Sequence, residues 1–414
     1  MSAYFDEKEI RSPEARQEAL NAGLTEMVQR GYERSSRVRQ IFDKAGLTPQ
    51  DVTTVDDLQK LPVISREQVV SWEAEDPPYG GWCDRDMKID RIFISPGPVY
   101  EPHLTEKSLW SRGYCAAGFR AGDIVLNTFS YHMVAAGLTF HEGLRAVGAT
   151  VVPSGTSSTD NQVQLIRDLA VTGYTGTPSF LMAIIAKAEE QGYLFREDFH
   201  LTRASFVAEP LQPSLRDRFE HEYGIDTYQM YGATEVGDIA YECREKKGWH
   251  TVEDLIVEIV DPVTGLQVPT GALGEVVVTR LNDIFFLFRF GTGDLSRFVE
   301  DPCPCGRTAV RMDGIAGRVG DAVKVRGMFI APSQLMKVRE RYPGLNFQVV
   351  ITREAYRDRL TVFVEAPEAG EVWLDEFSRC FRGICTVAID ELRAASPGTL
   401  NEEGPLMVDK RSWE

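Results

Sequence analysis

From about residue 92 to residue 232, short β-branched runs alternate with stretches of helical period, which predicts an α/β protein built on a parallel, helix-covered sheet. Two further observations complete the fold class. From about Leu255 helical patterning gives way to β patterning, predicting an attached antiparallel subdomain. After Gly317 a separate βαββαβ series predicts a small α+β, ferredoxin-like C-terminal domain, so the expected division is 1–317 and 318–414.

Residues 6–45 read as helical, with Ala15, Leu20, Leu24, Met27 and Ile41 as apolar positions among many charges. "LTPQDVTTVDDLQKLPVISREQVVSW" gives short helices punctuated by prolines. "RIFIS", "AGDIVLNTFS", "AVGATVVPSG", "LAVTGYTGTPS", "RASFVAEP" and "IDTYQMYG" read as strands, with "EKSLWSRGYCAAGF", "AAGLTFHEGLRA" and "NQVQLIRDLA" as helices between them. "LIVEIVD", "GEVVVTRL" and "FFLFRF" supply the later β pattern. In the last segment, strands "AVKVRGMFIAP", "NFQVVIT", "RLTVFVEA" and "CTVAIDELR" flank the helices "SQLMKVRERY" and "GEVWLDEFSRCFRGI".

Composition bounds the function. A chain of 414 residues, 43% hydrophobic, can bury a sizeable core, and its net charge of −17 argues against nucleic acid as a partner. The charged N-terminus lacks an apolar signal core, and no run of about 18 apolar residues occurs, so no membrane association and a cytoplasmic location are expected. Seven cysteines, two of them as Cys303-Pro304-Cys305, suit a reducing compartment better than a disulfide framework.

Two small-residue turns ending in a carboxylate stand out: Tyr-Gly-Ala-Thr-Glu at 231–235 and Gly-Thr-Gly-Asp at 291–294. Glycines let backbone approach a ligand, an acid can hold a ribose hydroxyl or a metal, and an aromatic offers a stacking face. A nucleotide is the expected guest. Cys243, His250, Cys303 and Cys305 form a second set, three soft sulfurs and an imidazole suited to tetrahedral zinc, although one residue between Cys303 and Cys305 is fewer than zinc pairs usually have. With no open coordination position implied, such a metal would be structural.

"MYGATEVG", "FGTGDLSRF", "CPCGRTAVRMDGIAGRVGDAVKVRGMFIAPSQL" and "GLTPQDVTTVDDLQKLPVISRE", collinear over nearly the whole chain, together resemble the phenylacetate-CoA ligase family of AMP-forming adenylating enzymes. The resemblance implies a large adenylate-forming domain and a mobile C-terminal domain that join a small carboxylic acid to ATP, with Mg2+, and pass the acyl group to CoA. It implies that Asp294 holds the ribose hydroxyls, that Tyr231 with Gly232 stacks on adenine, and that Ala208, Glu209 and Pro210 border the base. By the same resemblance Glu235 is the magnesium ligand, Thr234 lies near the α-phosphate, Arg318 reaches the ribose or α-phosphate, and the acid pocket draws on 131–133, Phe140, His141 and 174–178. Relatives suggest a homodimer.

The chain also departs from the family. Where relatives have a Ser/Thr/Gly-rich phosphate loop with a lysine, it reads "SPGPVYEP", with prolines that remove amide donors and Glu101 at the lysine position. Where relatives have Glu-Gly-Lys it reads Glu403-Gly404-Pro405, leaving Lys410 as the nearby cation. At the hinge it has Gly320 beside Asp321. Three readings follow: an acid–CoA ligase for an aromatic or other small acid, a degenerate pseudo-ligase that binds nucleotide or acyl-CoA, and adenylyl transfer to a hydroxyl acceptor.

Overall fold

The computed structural model describes all residues except 1–2, 85, 87, 104–108, 263, 273, 320–322, 327, 331, 355, 367–369, 386, 401–403 and 412–414, and the side chains of 324, 328, 329, 332 and 333. The chain forms two compact units, Met1–Val319 and Gly320–Glu414. Arg318, grouped with the second domain by the sequence reading, therefore belongs to the first unit.

The first unit begins with helices α1 (Pro13–Arg34) and α2 (Ser36–Ala45). Ser35 separates them: its hydroxyl caps α2 through the Val38 amide and donates to the Gly81 carbonyl at 2.6 Å. Helix α3 (Arg66–Glu75) starts at a capping box between Ser65 and Gln68. Strands β1 (Arg91–Ser95) and β2 (Val99–His103) form a hairpin of their own. "RIFIS", expected at the head of the parallel series, is β1 of this hairpin instead.

The strands that follow are β3 (Ile124–Asn127), β4 (Thr150–Val152), β5 (Gly173–Gly176), β6 (Arg203–Phe206), β7 (Asp226–Ala233), β8 (Gly237–Glu242) and β9 (Trp249–Thr251). Next come β10 (Leu255–Val260), β11 (Gly274–Arg280), β12 (Phe290–Ser296), β13 (Phe298–Val299), β14 (Arg311–Met312) and β15 (Gly317–Arg318). One sheet runs β13-β14-β9-β8-β7-β6-β5-β3-β4, parallel from β7 to β4 and antiparallel beyond β7. The crossover helices include Ala135–Ala146, Thr159–Asp168 and Pro178–Glu190, whose Leu181, Met182, Ile184 and Ile185 are buried against the sheet. Burial of one such side chain contributes about 1.5–3 kcal/mol.

The second sheet, β10-β11-β12-β15, is antiparallel, as the loss of helical patterning predicts. One local expectation fails here. "FFLFRF" is not a strand: residues 284–288 run buried on all sides, and only Phe285 bridges to Cys83. Arg289 then takes a left-handed φ of 47° and its buried guanidinium pairs with Glu258 while donating to the carbonyls of Leu61 and Gly265 at 2.6 Å. It pins three segments where β12 begins.

In the second unit the sheet order is β20-β19-β18-β21, with β18 (Phe347–Glu354), β19 (Arg357–Val364), β20 (Glu391–Ala394) and β21 (Met407–Asp409); β16 (Val323–Val325) and β17 (Met328–Ile330) form a separate hairpin. The α+β composition matches the reading, but the first strand of the expected series stays out of the sheet and β21 pairs in parallel with β18 instead. Helices Pro332–Arg341 and Glu371–Cys385 contribute Leu335, Val338, Phe377 and Phe381 to its core. Among the described residues no helix is long and apolar enough to cross a membrane. Gly320, Asp321 and Glu403 lie outside the described residues.

Candidate nucleotide and metal sites

Tyr231 and Gly232 end β7, with a bulge between them in the pairing with β8. Gly232 is dictated by packing: an added Cβ would lie 2.3 Å from the Gly237 carbonyl oxygen and 2.5 Å from the Trp110 ring. Tyr231 is half-buried, its ring 5.9 Å from that of Trp249 and tilted by 32°, and its hydroxyl donates to Asp294 at 2.8 Å. Burial, then the Asp294 charge, pushes the phenol well above its ordinary range. It stays a donor at any physiological pH.

Asp294 lies within strand β12, where the sequence reading expected a turn. The pairing explains the turn-like composition. Glu275 opposes Leu295 and Val277 opposes Gly291, so β12 carries extra residues across this stretch and bulges. Gly293, at φ 72°, supplies the left-handed residue, and its amide donates to Glu275 at 3.0 Å. The bulge turns Asp294 toward β15, where the Arg318 Nε approaches its Oδ1 to 3.2 Å and an Arg318 Nη donates to the Thr292 carbonyl at 3.1 Å. Tyr231, Asp294 and Arg318 are therefore one connected group drawn from three strands.

The 95–102 stretch is the β1–β2 hairpin. Its turn, 96–98, offers a single amide, that of Gly97, because both neighbours are prolines. Glu101 is buried, accepts from the Ser95 hydroxyl at 2.6 Å through one oxygen, and has no hydrogen-bond partner for the other. Glu73 of α3 is likewise buried; one oxygen accepts from the Tyr100 amide at 2.8 Å and the other has no partner. Burial, with the Glu235 charge nearby, pushes Glu101 up to about 8 and Glu73 up to about 7.

Glu235 is buried at the β7–β8 corner and its carboxylate pairs with Arg66, the first residue of α3. Sequence reasoning missed Arg66, Glu73 and Trp249. The one local signal for Arg66 is the capping box that starts its helix; nothing nearby in sequence announces a partner at 235. Thr234 is half-buried at the same corner. Ala208 is exposed with φ 74°, Pro210 is exposed, and Glu209 accepts from the Ser179 amide at 3.4 Å, which ties the 208–210 turn to the start of the helix Pro178–Glu190. Lys410 is exposed on the second unit, after β21, its amide donating to the Ile351 carbonyl.

Of the acid-pocket candidates, Tyr174 is wholly buried and bonded to Thr128 and the Thr177 carbonyl, which makes it core. Tyr131 meets His141 Nδ1 at 3.1 Å and accepts from Asn127. Phe140 joins an aromatic row, 4.5 Å from Trp110 and 4.6 Å from Phe129 between ring centroids, that begins at Gly232.

Cys243, His250, Cys303 and Cys305 converge so that their four ligand atoms lie within 4.8 Å of one another. Cys243 and Cys303 sulfurs are 3.7 Å apart, and Cys305 Sγ is 3.4 Å from His250 Nε2. Tetrahedral zinc bonds of about 2.3 Å to sulfur and about 2.0–2.1 Å to nitrogen imply edges of roughly 3.8 and 3.6 Å, so the donor set has the right size. His250 Nδ1 faces the Ala309 carbonyl at 3.3 Å, the outer contact that would fix the tautomer leaving Nε2 free as a ligand. The Cys243 thiol and His250 beside it hold Cys305 far below the usual thiol range. Thiolate is the form a metal takes.

The parallel sheet thus ends in a small-residue corner with a tyrosine–aspartate–arginine group beside it, and the comparisons identify the class as that of adenylate-forming enzymes. Residues 104–282 match the model of the AMP-binding enzyme family. The chain is 31% identical to phenylacetate-coenzyme A ligase of Thermus thermophilus over 83% of its length and 80% of that protein, and 30% identical to that of Escherichia coli over 84% and 82%. Crystalline 2-hydroxyisobutyryl-CoA ligase, holding its acyl-adenylate and CoA, shares the fold, with a TM-score of 0.89 and 23% identity over 99% of this chain and 93% of that one. The chain belongs to the phenylacetate-CoA ligase family, and it is an AMP-forming acid–CoA ligase using ATP and CoA.

Proposed function

We propose that the acid activated by this ligase is a small aromatic carboxylic acid, bound beside an adenosine whose ribose is held by Asp294. The observation that carries this reading is the 30–31% identity to phenylacetate-coenzyme A ligases over more than four-fifths of the chain, and the largely buried Trp110–Phe140–Phe129 row beside Gly232 would back an aromatic acyl group. The phenylacetate-coenzyme A ligases it resembles fit the same class of acid.

Asp294 has the geometry for two ribose hydroxyls, with Tyr231 and Arg318 already fixing its orientation. Tyr231, backed by Trp249, presents a ring to adenine against Gly232, and Ala208, Glu209 and Pro210 border the base. Glu235 takes Mg2+ and Thr234 faces the α-phosphate, both being hard oxygen donors. Lys410 is the cation nearest in sequence to the lysine position at Pro405. Cys243, His250, Cys303 and Cys305 hold a structural zinc, which would tie the β8–β9 hairpin to the 303–305 turn. A soluble homodimer in the cytoplasm completes the proposal.

Pyrophosphate exchange across a panel of carboxylic acids tests the substrate class. Fastest exchange with aryl or arylacetic acids is expected. Preference for short hydroxy or alkyl acids refutes the aromatic pocket, and AMP binding without exchange for any acid refutes turnover.

A further inference from the structure

The hairpin at 95–102, which stands where relatives have their phosphate loop, lacks both devices that hold a triphosphate, prolines replacing amides and Glu101 replacing the cation. One guanidinium has been brought to it from elsewhere. Arg66 donates to the Ser95 hydroxyl at 2.9 Å and to the Pro96 carbonyl at 2.7 Å, and through its other terminal nitrogen pairs with Glu235. It bridges the hairpin turn and the carboxylate at the end of β7. Its backbone is well fixed. Ile64, two residues earlier, exchanges hydrogen bonds with β12, its amide donating to the Arg289 carbonyl and the Gly291 amide donating to its own carbonyl, each at 2.9 Å. Segment 64–66 is thereby held against the strand that carries Asp294.

The side chain of Arg66 is about 36% exposed, whereas that of Glu235 is about 1% exposed. The open side of the pair is thus the arginine. A guanidinium presents five donors in a fixed fork, and three contacts leave capacity for an incoming phosphate oxygen.

We propose that Arg66 is the phosphate-positioning cation of this ligase, taking from helix α3 the part that the hairpin no longer plays. Without nucleotide, its charge is balanced by Glu235. With ATP bound, Glu235 would hold the accompanying Mg2+, and the Arg66 guanidinium turns to the β- and γ-phosphates, the pyrophosphate that leaves when the acid carboxylate attacks the α-phosphorus. Arg66 transfers no proton in this step; it neutralises the leaving group and fixes its direction. The proposal rests on the adenylation reading and on Glu235 as the magnesium ligand.

The test measures binding of ATP and of AMP, each with Mg2+, to the full-length wild type, Arg66→Ala and Arg66→Lys by calorimetry, with melting temperatures recorded alongside. Arg66→Ala is expected to weaken ATP at least tenfold and AMP less than threefold, since AMP lacks the phosphates in question. Arg66→Lys should recover most of the ATP affinity, because it restores the charge without the fork. Equal weakening of ATP and AMP, or unchanged ATP affinity in a variant that melts like wild type, overturns the proposal. If Arg66→Ala fails to fold, Arg66→Lys and Arg66→Gln decide it: ATP affinity equal in both overturns the role of charge. Wild-type protein that binds neither nucleotide overturns the adenylation reading itself.

Discussion

Glu101→Gln converts the burial of a carboxyl group into a measurable pH dependence. Glu101 is 4% exposed and is held at about 8 in the fold against an ordinary 4.5. The folded protein therefore keeps a proton that the unfolded chain gives up, so this group's stabilisation is complete below about 4.5 and is lost as pH rises through about 8. Each pH unit in that window costs about 1.4 kcal/mol per proton. Between pH 5.5 and 8.0 the loss from Glu101 is on the order of 3 kcal/mol. Glutamine has the same shape and can still accept from Ser95, but it does not titrate. It adds an amide donor near the carboxylate oxygen that has no partner, a pH-independent offset, so the slope is the quantity to compare. Urea unfolding of the two proteins at pH 5.5, 7.0 and 8.0 should show wild type falling relative to the variant by that amount. Parallel curves would mean that Glu101 is ionised in the fold at all three pH values, and the reasoning from burial would be refuted.

Three other outcomes follow from the site. Asp294→Ala should weaken ATP and AMP alike, by about 10²- to 10⁴-fold for two lost charge-assisted bonds, as read by calorimetry; unchanged affinity removes Asp294 from ribose binding. Cys305→Ser should bring zinc in the purified protein below about half an equivalent by elemental analysis and lower its melting temperature, because a structural site contributes binding energy to folding. Wild-type protein without zinc would refute the donor set. Lys410→Ala should slow pyrophosphate exchange by about 10²–10³, the usual loss for a preorganised charge partner; an unaltered rate removes Lys410 from adenylation.

Much of this molecule is readable along the chain where the signal is local. Strands β3 to β7 alternate with helices in the sequence and do so in the fold, and the four zinc-type ligands are chemically distinctive wherever they stand. The misreadings share a cause, which is that the deciding contact lies far away in sequence. Residues 285–290 look like a strand because a run buried on all sides has no period by which to tell pairing from packing. The Gly-Thr-Gly-Asp stretch looks like a turn because a bulge uses the same glycine in the left-handed region. Gly232 looks like a gap for a ligand, yet the atoms that require it belong to Gly237 and Trp110. Arg66 is the extreme case, being matched to a carboxylate 169 residues away.

Strand β9 is only three residues long, and consecutive residues of a strand face opposite ways. His250 looks toward the cysteines while its neighbour Trp249 looks toward the ring of Tyr231. One indole is therefore a built-in optical reporter with two inputs. Metal leaving on one side and a base arriving on the other would each change its surroundings, and the difference in emission between the wild type and Trp249→Phe would isolate its signal. Titrating chelator with and without AMP would then show, in a single cuvette, whether the metal and nucleotide sites report to each other.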